Sequence, residues 1–272
     1  MIMLYIIIGL VLLSAVYCRM LKTNSGRKEQ MLPFKKVYIA HRGVHNLVIP
    51  ENSLRAFQKA IEMGNGIEID VRLTKDNIPV VIHDNSLKRV CGISKKVSEL
   101  TYENLKEYHL SGSDQYIPTL QEVLELVNGR VPMIIEIKVY FDCETVCMKV
   151  SEMLNNYKGI YCVQSFYSSV LVWFRKNSPK VLRGQLTSDR WGKSIVKGKI
   201  SSGLTTRMLN NWRTQPDFIS YCHKDACRWV YKLCRALYNP VCAAWTIRSE
   251  KELEQAQKEF DIIIYENIYL KV

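Results

Sequence analysis

Gly66-Ile67-Glu68-Ile69-Asp70-Val71 alternates strictly. In an extended chain, Ile67, Ile69 and Val71 fall on one side and Glu68 and Asp70 on the other. Alone, this pattern describes a half-exposed strand with one wet face. Met133-Ile134-Ile135-Glu136-Ile137-Lys138-Val139 repeats it, with Glu136 and Lys138 opposite Ile135, Ile137 and Val139. Two acidic strands of one pattern ask for a common explanation.

The surrounding sequence supplies it. Short β-branched runs fall at 37–40, 66–71, 79–83, 132–138, 160–164, 181–186, 217–221, 241–246 and 261–265. Amphipathic stretches fall between most of them, at 52–63, 119–128, 144–158, 168–177, about 204–211, 225–237 and 249–259. Thr119 with Glu122, and Ser249 with Glu252, have capping-box spacing, and Gly64 stops the first helix. This alternation predicts an α/β protein with a parallel sheet, and its eight or nine units in residues 37–272 predict a (β/α)8 barrel. The connection Leu73–Ile78 is too short for a crossover helix, so one strand stands outside the barrel count.

Strands of such a barrel have no wet face, because helices cover the outside and side chains fill the inside. Charged alternation must then point into the mouth. Three carboxylates there resist ionising together unless a cation joins them. Glu68, Asp70 and Glu136 offer only oxygen, a set suited to Mg2+ or Ca2+. His41 follows the strand 37–40 in His41-Arg42-Gly43, and His83 ends the run 79–83. Both fall where barrel enzymes place catalysis, and two histidines can divide acid and base roles near neutral pH. Arg42 offers a fork for phosphate and Lys138 a point charge. His45, His109 and His223 have no comparable setting and are given no role. Cys222-His223 with Cys227 lacks the second pair a zinc site needs.

These pieces resemble the glycerophosphodiester phosphodiesterase family. The matching residues are His41-Arg42-Gly43, Pro50-Glu51-Asn52-Ser53, Glu68-Ile69-Asp70-Val71, Thr74-Lys75-Asp76, Val81-Ile82-His83-Asp84, Pro118-Thr119-Leu120 and Glu136-Ile137-Lys138. Ser165-Phe166 and Trp245-Thr246 match weaker downstream signatures. The resemblance implies a TIM barrel with a small insertion at about 84–117. It implies metal ligation by Glu68, Asp70 and Glu136 and acid–base roles for His41 and His83. Substrate contact falls to Arg42, Lys138 and Trp245. The implied reaction is metal-dependent hydrolysis of glycerophosphodiesters to sn-glycerol 3-phosphate and an alcohol, through a cyclic phosphate. Asn77, Arg248 and Tyr265-Glu266-Asn267-Ile268 depart from the family pattern and bear on the shape of the mouth.

The first 18 residues carry no charged side chain, and their length just reaches the ~30 Å hydrocarbon thickness. They are expected to form a single-pass transmembrane anchor. A secretory signal would carry basic residues before the apolar run and small residues at a cleavage site, and neither occurs. Residues 19–36 form a basic juxtamembrane linker with Thr23–Lys28 as its polar part, and 37–272 form the barrel domain. The chain carries 38 basic and 26 acidic residues, net +12, of which +5 lies in residues 19–36. By the positive-inside rule that cluster puts the barrel in the cytoplasm, drawn to anionic lipid headgroups. Nine cysteines, an odd number without a pairing framework, agree with a reducing compartment. No nucleic-acid motif accompanies the charge. The anchor, with Trp191 and Trp212, also motivates a lysophospholipid substrate.

Overall fold

The fold is given by a computed structural model that describes residues 1–140, 142–188, 204–205 and 207–270. The strands are β1 (Ile39–His41), β2 (Gly66–Leu73), β3 (Pro79–Val81), β4 (Met133–Ile137), β5 (Tyr161–Ser165), β6 (Arg183–Thr187), β7 (Phe218–Cys222), β8 (Val241–Ile247) and β9 (Ile262–Tyr265). The helices are α1 (Ile2–Met20), α2 (Leu32–Lys35), α3 (Leu54–Glu62), α4 (Lys88–Cys91), α5 (Tyr102–Leu105), α6 (Leu120–Val127), α7 (Cys143–Asn155), α8 (Ser168–Asn177), α9 (Asn211–Thr214), α10 (Trp229–Tyr238) and α11 (Glu250–Glu259). Trp191 lies outside the described residues, and of the stretch 204–211 expected to be helical, 204–205 and Asn211 are helical whereas 207–210 form turns. Trp212 is half exposed on α9.

Eight strands close into a parallel barrel in the order β1-β9-β8-β7-β6-β5-β4-β2, with β2 pairing back to β1. β3 runs antiparallel to β2, Val81 opposite Val71, and lies outside the ring. Its short connection allows nothing else. Ile67, Ile69 and Val71 are fully buried in the layer between strands and helices, and Glu68 and Asp70 are buried on the opposite, inner side. Ser53 caps α3 by accepting from the Ala56 N–H. The Thr119–Glu122 capping box is reciprocal. The second box forms by half, because the Glu252 carboxylate accepts from the Arg248 N–H instead. Residues 84–117 carry a small apolar cluster of their own, in which Leu87, Val97 and Leu105 pack on Val80 and Ile82.

The barrel interior divides by height. Its upper part is polar, and its lower part holds Ile39, Ile134, Cys162, Phe218, Ala243 and Ile264. A Cβ on Gly184 would lie 2.1 Å from the Phe218 ring, so only glycine leaves that ring its space. Residues 23–28, expected to be a polar linker, are folded onto the barrel floor. Arg27 pairs with buried Asp217 and donates to the carbonyls of Pro179, Lys180 and Val181. Met31 and Phe34 then plug the floor, both fully buried. The apolar pair within the basic stretch is the physical reason: hidden between charges, it still gains by leaving water. Truncating Phe34 to alanine is expected to cost about 3–5 kcal/mol, read from the urea midpoint.

Candidate active site

Each site residue sits at the upper end of a strand or just beyond one. β1 ends in His41, β2 presents Glu68 and Asp70, and β4 presents Glu136, with Lys138 directly after it. Register places Asp70 opposite Glu136 and His41 opposite Glu68. The chain then turns sharply at Arg42 (φ 58°) and Gly43 (φ 78°). A side chain on Gly43 would meet the Ala56 backbone at 2.8 Å, so the turn needs glycine there.

Ligand atoms of Glu68, Asp70 and Glu136 all lie within 4.8 Å of one another, and all three residues are buried. The set fits a hard divalent cation. Glu68 Oε2 is buried and accepts no hydrogen bond, which leaves it a free lone pair toward the cluster. Burial, reinforced by the neighbouring Asp70 and Glu136 charges, pushes the Glu68 carboxyl well above its usual range. Burial opposes ionisation of Asp70 as well, but Lys138, His83 and Arg42 outweigh it and hold that carboxyl well below its usual range. Glu68 and Asp70 are thus not equivalent: Glu68 needs an added positive charge more than Asp70 does.

Lys138 Nζ lies 2.6 Å from Glu136 Oε1 and 3.1 Å from Asp70 Oδ1. Arg42 reaches Asp70 Oδ2 at 3.3 Å and donates to Glu51 at 2.9 Å. Both cations expected at phosphate are therefore tied to carboxylates within the site. Asn52 donates to Asp70 Oδ2 at 3.0 Å, and Gln164 donates to Glu68 Oε1 at 3.3 Å.

The two histidines are held differently. His41 Nδ1 lies 2.8 Å from Glu266 Oε2. Burial would raise the Glu266 carboxyl, but the bond to His41 and the charges of Arg248 and His45 bring it down to about 2. An ionised carboxylate only accepts, so Nδ1 carries the proton and Nε2 keeps a lone pair facing Glu68, 4.0 Å from its Oε2. Burial, aided by Arg42, lowers His41 to about 4 against the pull of Glu266. His83 is more exposed. Its Nδ1 lies 2.7 Å from Asp84 Oδ1, whose other oxygen accepts from Arg89 Nε at 2.5 Å. Arg89 also forks onto Glu51, with both bonds at 2.7 Å. Glu51 thus links the supports of Arg42 and His83, and Arg72 Nε fixes the His83 carbonyl at 2.8 Å.

His41, Arg42, Glu68, His83, Glu136 and Gln164 line a cavity of about 350 Å³, which Phe166, Trp245 and His223 also border. Phe166 meets Trp245 edge-on at 5.8 Å. A larger groove of about 670 Å³ opens at the floor end, beside Tyr157, Ile160 and Lys180. It holds no cluster like that of Glu68, Asp70 and Glu136. Sequence reasoning missed Glu266, and also His45, which lies 3.9 Å from Glu266 Oε1. The position of Glu266 just after the last strand was the available signal. Exchanging it for glutamine (Glu266→Gln) is expected to lower kcat about 10²-fold by releasing the His41 ring. Glu266 raises the His41 value, so its loss should move the acid limb of the rate profile to lower pH. A pH–rate series on both proteins checks both effects.

Comparison with known proteins follows from this geometry. The family model for the glycerophosphoryl diester phosphodiesterase family matches residues 41–267. A glycerophosphodiester phosphodiesterase from Bacillus altitudinis is 36% identical over 163 residues, which is 55% of this chain and 66% of that protein. A lysophospholipase D from Homo sapiens is 36% identical over 146 residues, which is 48% of this chain and 44% of that protein. The matches therefore span less than two thirds of these relatives' own length. A phosphodiesterase from Oleispira antarctica, solved in complex with the product sn-glycerol-3-phosphate, superposes with a TM-score of 0.69 at 23% identity. That overlap covers 84% of this chain and 92% of the other, a likeness of fold.

Proposed function

Because the chain belongs to the glycerophosphoryl diester phosphodiesterase family, we propose that it hydrolyses glycerophosphodiesters to sn-glycerol 3-phosphate and an alcohol, as a membrane-anchored enzyme. The observation that carries this reading is the convergence of Glu68, Asp70 and Glu136 beneath two carboxylate-supported histidines at the mouth of one cavity.

Glu68, Asp70 and Glu136 would hold one divalent cation, Mg2+ or Ca2+, which when bound draws charge from the phosphoryl oxygens. His41, neutral above about pH 4 and with its Nε2 lone pair free, takes the proton of the glycerol hydroxyl next to the phosphodiester. That oxygen attacks phosphorus and forms the cyclic phosphate. His83 gives a proton to the departing alcohol. In the second half the roles reverse: His83 takes a proton from water, which opens the ring, and His41 returns its proton to the glycerol oxygen. Arg42 and Lys138 compensate the negative charge around the phosphate, and Trp245 forms an apolar wall for the alcohol.

Helix α1 meets the length and composition needed to cross a membrane, and none of its residues is buried. Its lack of a cleavage site favours a retained anchor, and the basic residues after it favour a cytoplasmic barrel. The human lysophospholipase D relative supports a second substrate class, lysophospholipids. The full chain is to be assayed with glycerophosphocholine and lysophosphatidylcholine, with chelator and with Mg2+ or Ca2+ restored. Glycerol 3-phosphate from the soluble diester, lost with chelator and regained with metal, is the expected result. Preference for the lysolipid selects the second class, and no metal-dependent turnover of either overturns the proposal.

A further inference from the structure

We propose that the catalytic rim of the barrel is a membrane-contacting surface, seated on the bilayer that holds α1, so that the site opens onto the lipid headgroups. This rests on the reading of α1 as a membrane anchor. The first support is the direction of α1. At the floor, the Asn24 N–H bonds the Pro216 carbonyl, two residues before β7 begins. Midway up the wall, the Leu21 carbonyl accepts from Asn211 Nδ2 and Cys234 Sγ. Higher still, Tyr17 stacks on Trp229 at 5.6 Å. Trp229 begins α10, and a helix that follows a barrel strand starts at the catalytic end. Going from Asn24 towards its N-terminus, the chain therefore climbs from floor to rim.

The second support is length. Tyr17, Cys18 and Leu21 are held against the barrel, which leaves residues 2–16 clear of it. At ~1.5 Å per residue they reach only ~22 Å, short of the ~30 Å hydrocarbon core. A stretch this short can span only a locally thinned bilayer with the barrel itself seated against it. The third support is the rim. In the loop after β1, Asn46 Oδ1 accepts the N–H groups of Val48 and Ile49 and so fixes the turn at the loop tip. Leu47 and Val48 there are 103% and 70% exposed, and Trp229 is 64% exposed. Lys224 lies on the same connection as Trp229, with its side chain 56% exposed and paired to Glu252 at 3.2 Å. Apolar tips on the end from which the anchor leaves suit a lipid surface.

The test reconstitutes the full chain, as Leu47→Trp and separately as Ile160→Trp, in phosphatidylcholine–phosphatidylglycerol vesicles with plain or dibrominated acyl chains. Ile160 is exposed beside the floor groove and serves as the opposite pole. Relative to the parent protein, Leu47→Trp should add emission that bromination removes, and Ile160→Trp should add emission that survives it. Emission from Leu47→Trp that survives bromination, or loss at Ile160→Trp instead, overturns the proposal. Protein that does not float with the vesicles removes the anchor and this inference with it. Turnover of soluble glycerophosphocholine by the same preparation reports separately on the activity.

Discussion

His41→Ala is expected to lower kcat for glycerophosphodiester hydrolysis by about 10²–10⁴-fold, the range of a lost general acid–base group. The structure gives the reason in three parts. The ring is buried, so its charged form is disfavoured and its value falls to about 4. Its Nδ1 proton is committed to Glu266, so only Nε2 can exchange protons with substrate. That nitrogen faces Glu68, beside the place where phosphate would bind. The loss should fall on kcat more than on KM, because the interaction strengthens only as the proton moves. The variant should also lose the acid limb set by His41. A kcat within threefold of the parent's would assign the base role elsewhere, with His83 the next candidate.

Glu68→Gln is expected to cost at least about 10³-fold in activity, equivalent to ~4 kcal/mol of lost charge stabilisation by a bound divalent ion. Among the three carboxylates this one is the most informative to change. Asp70 touches both Lys138 and Arg42, so its removal would take one of two carboxylates from each cation and leave them only Glu136 and Glu51. Glu68 is bonded only weakly, by Gln164 at 3.3 Å, and its ionised form is disfavoured by burial and by two like charges. The amide should therefore fold as well as the parent without metal. With Mg2+ or Ca2+ at about a hundred times Kd, the parent should gain ~2.7 kcal/mol of stability from binding. The variant should gain much less. Thermal unfolding with and without the ion reads this difference without reference to turnover. Equal stabilisation of the two proteins would place the ion elsewhere.

Much of the site is legible along the chain because strand periodicity is a local property. Two residues apart on one strand means one face, which is enough to bring Glu68 with Asp70, and Glu136 with Lys138, toward the same interior. The histidines follow because the ends of strands can be read from where β-branched runs stop. Glu266 escapes that logic: it serves His41 from 225 residues away, across the seam where β9 meets β1. Arg89 escapes it too, since its hold on Asp84 and Glu51 depends on how the insertion folds back over the mouth. Residues 23–36 show the opposite failure. Their charges describe a tether, whereas the two apolar side chains among them decide where the segment goes.

By itself, the sequence determined the barrel, the three carboxylates, the two histidines and the apolar helix that precedes them, because each depends on spacing within one element. Only the tertiary structure decided which cations neutralise which carboxylates, which partner fixes each imidazole, and that the basic stretch plugs the floor rather than trailing free. It also decided that α1 climbs toward the catalytic end. Those outcomes depend on distances between elements far apart in the chain, set by the closure of the ring and the packing of its two ends, and no local pattern encodes them.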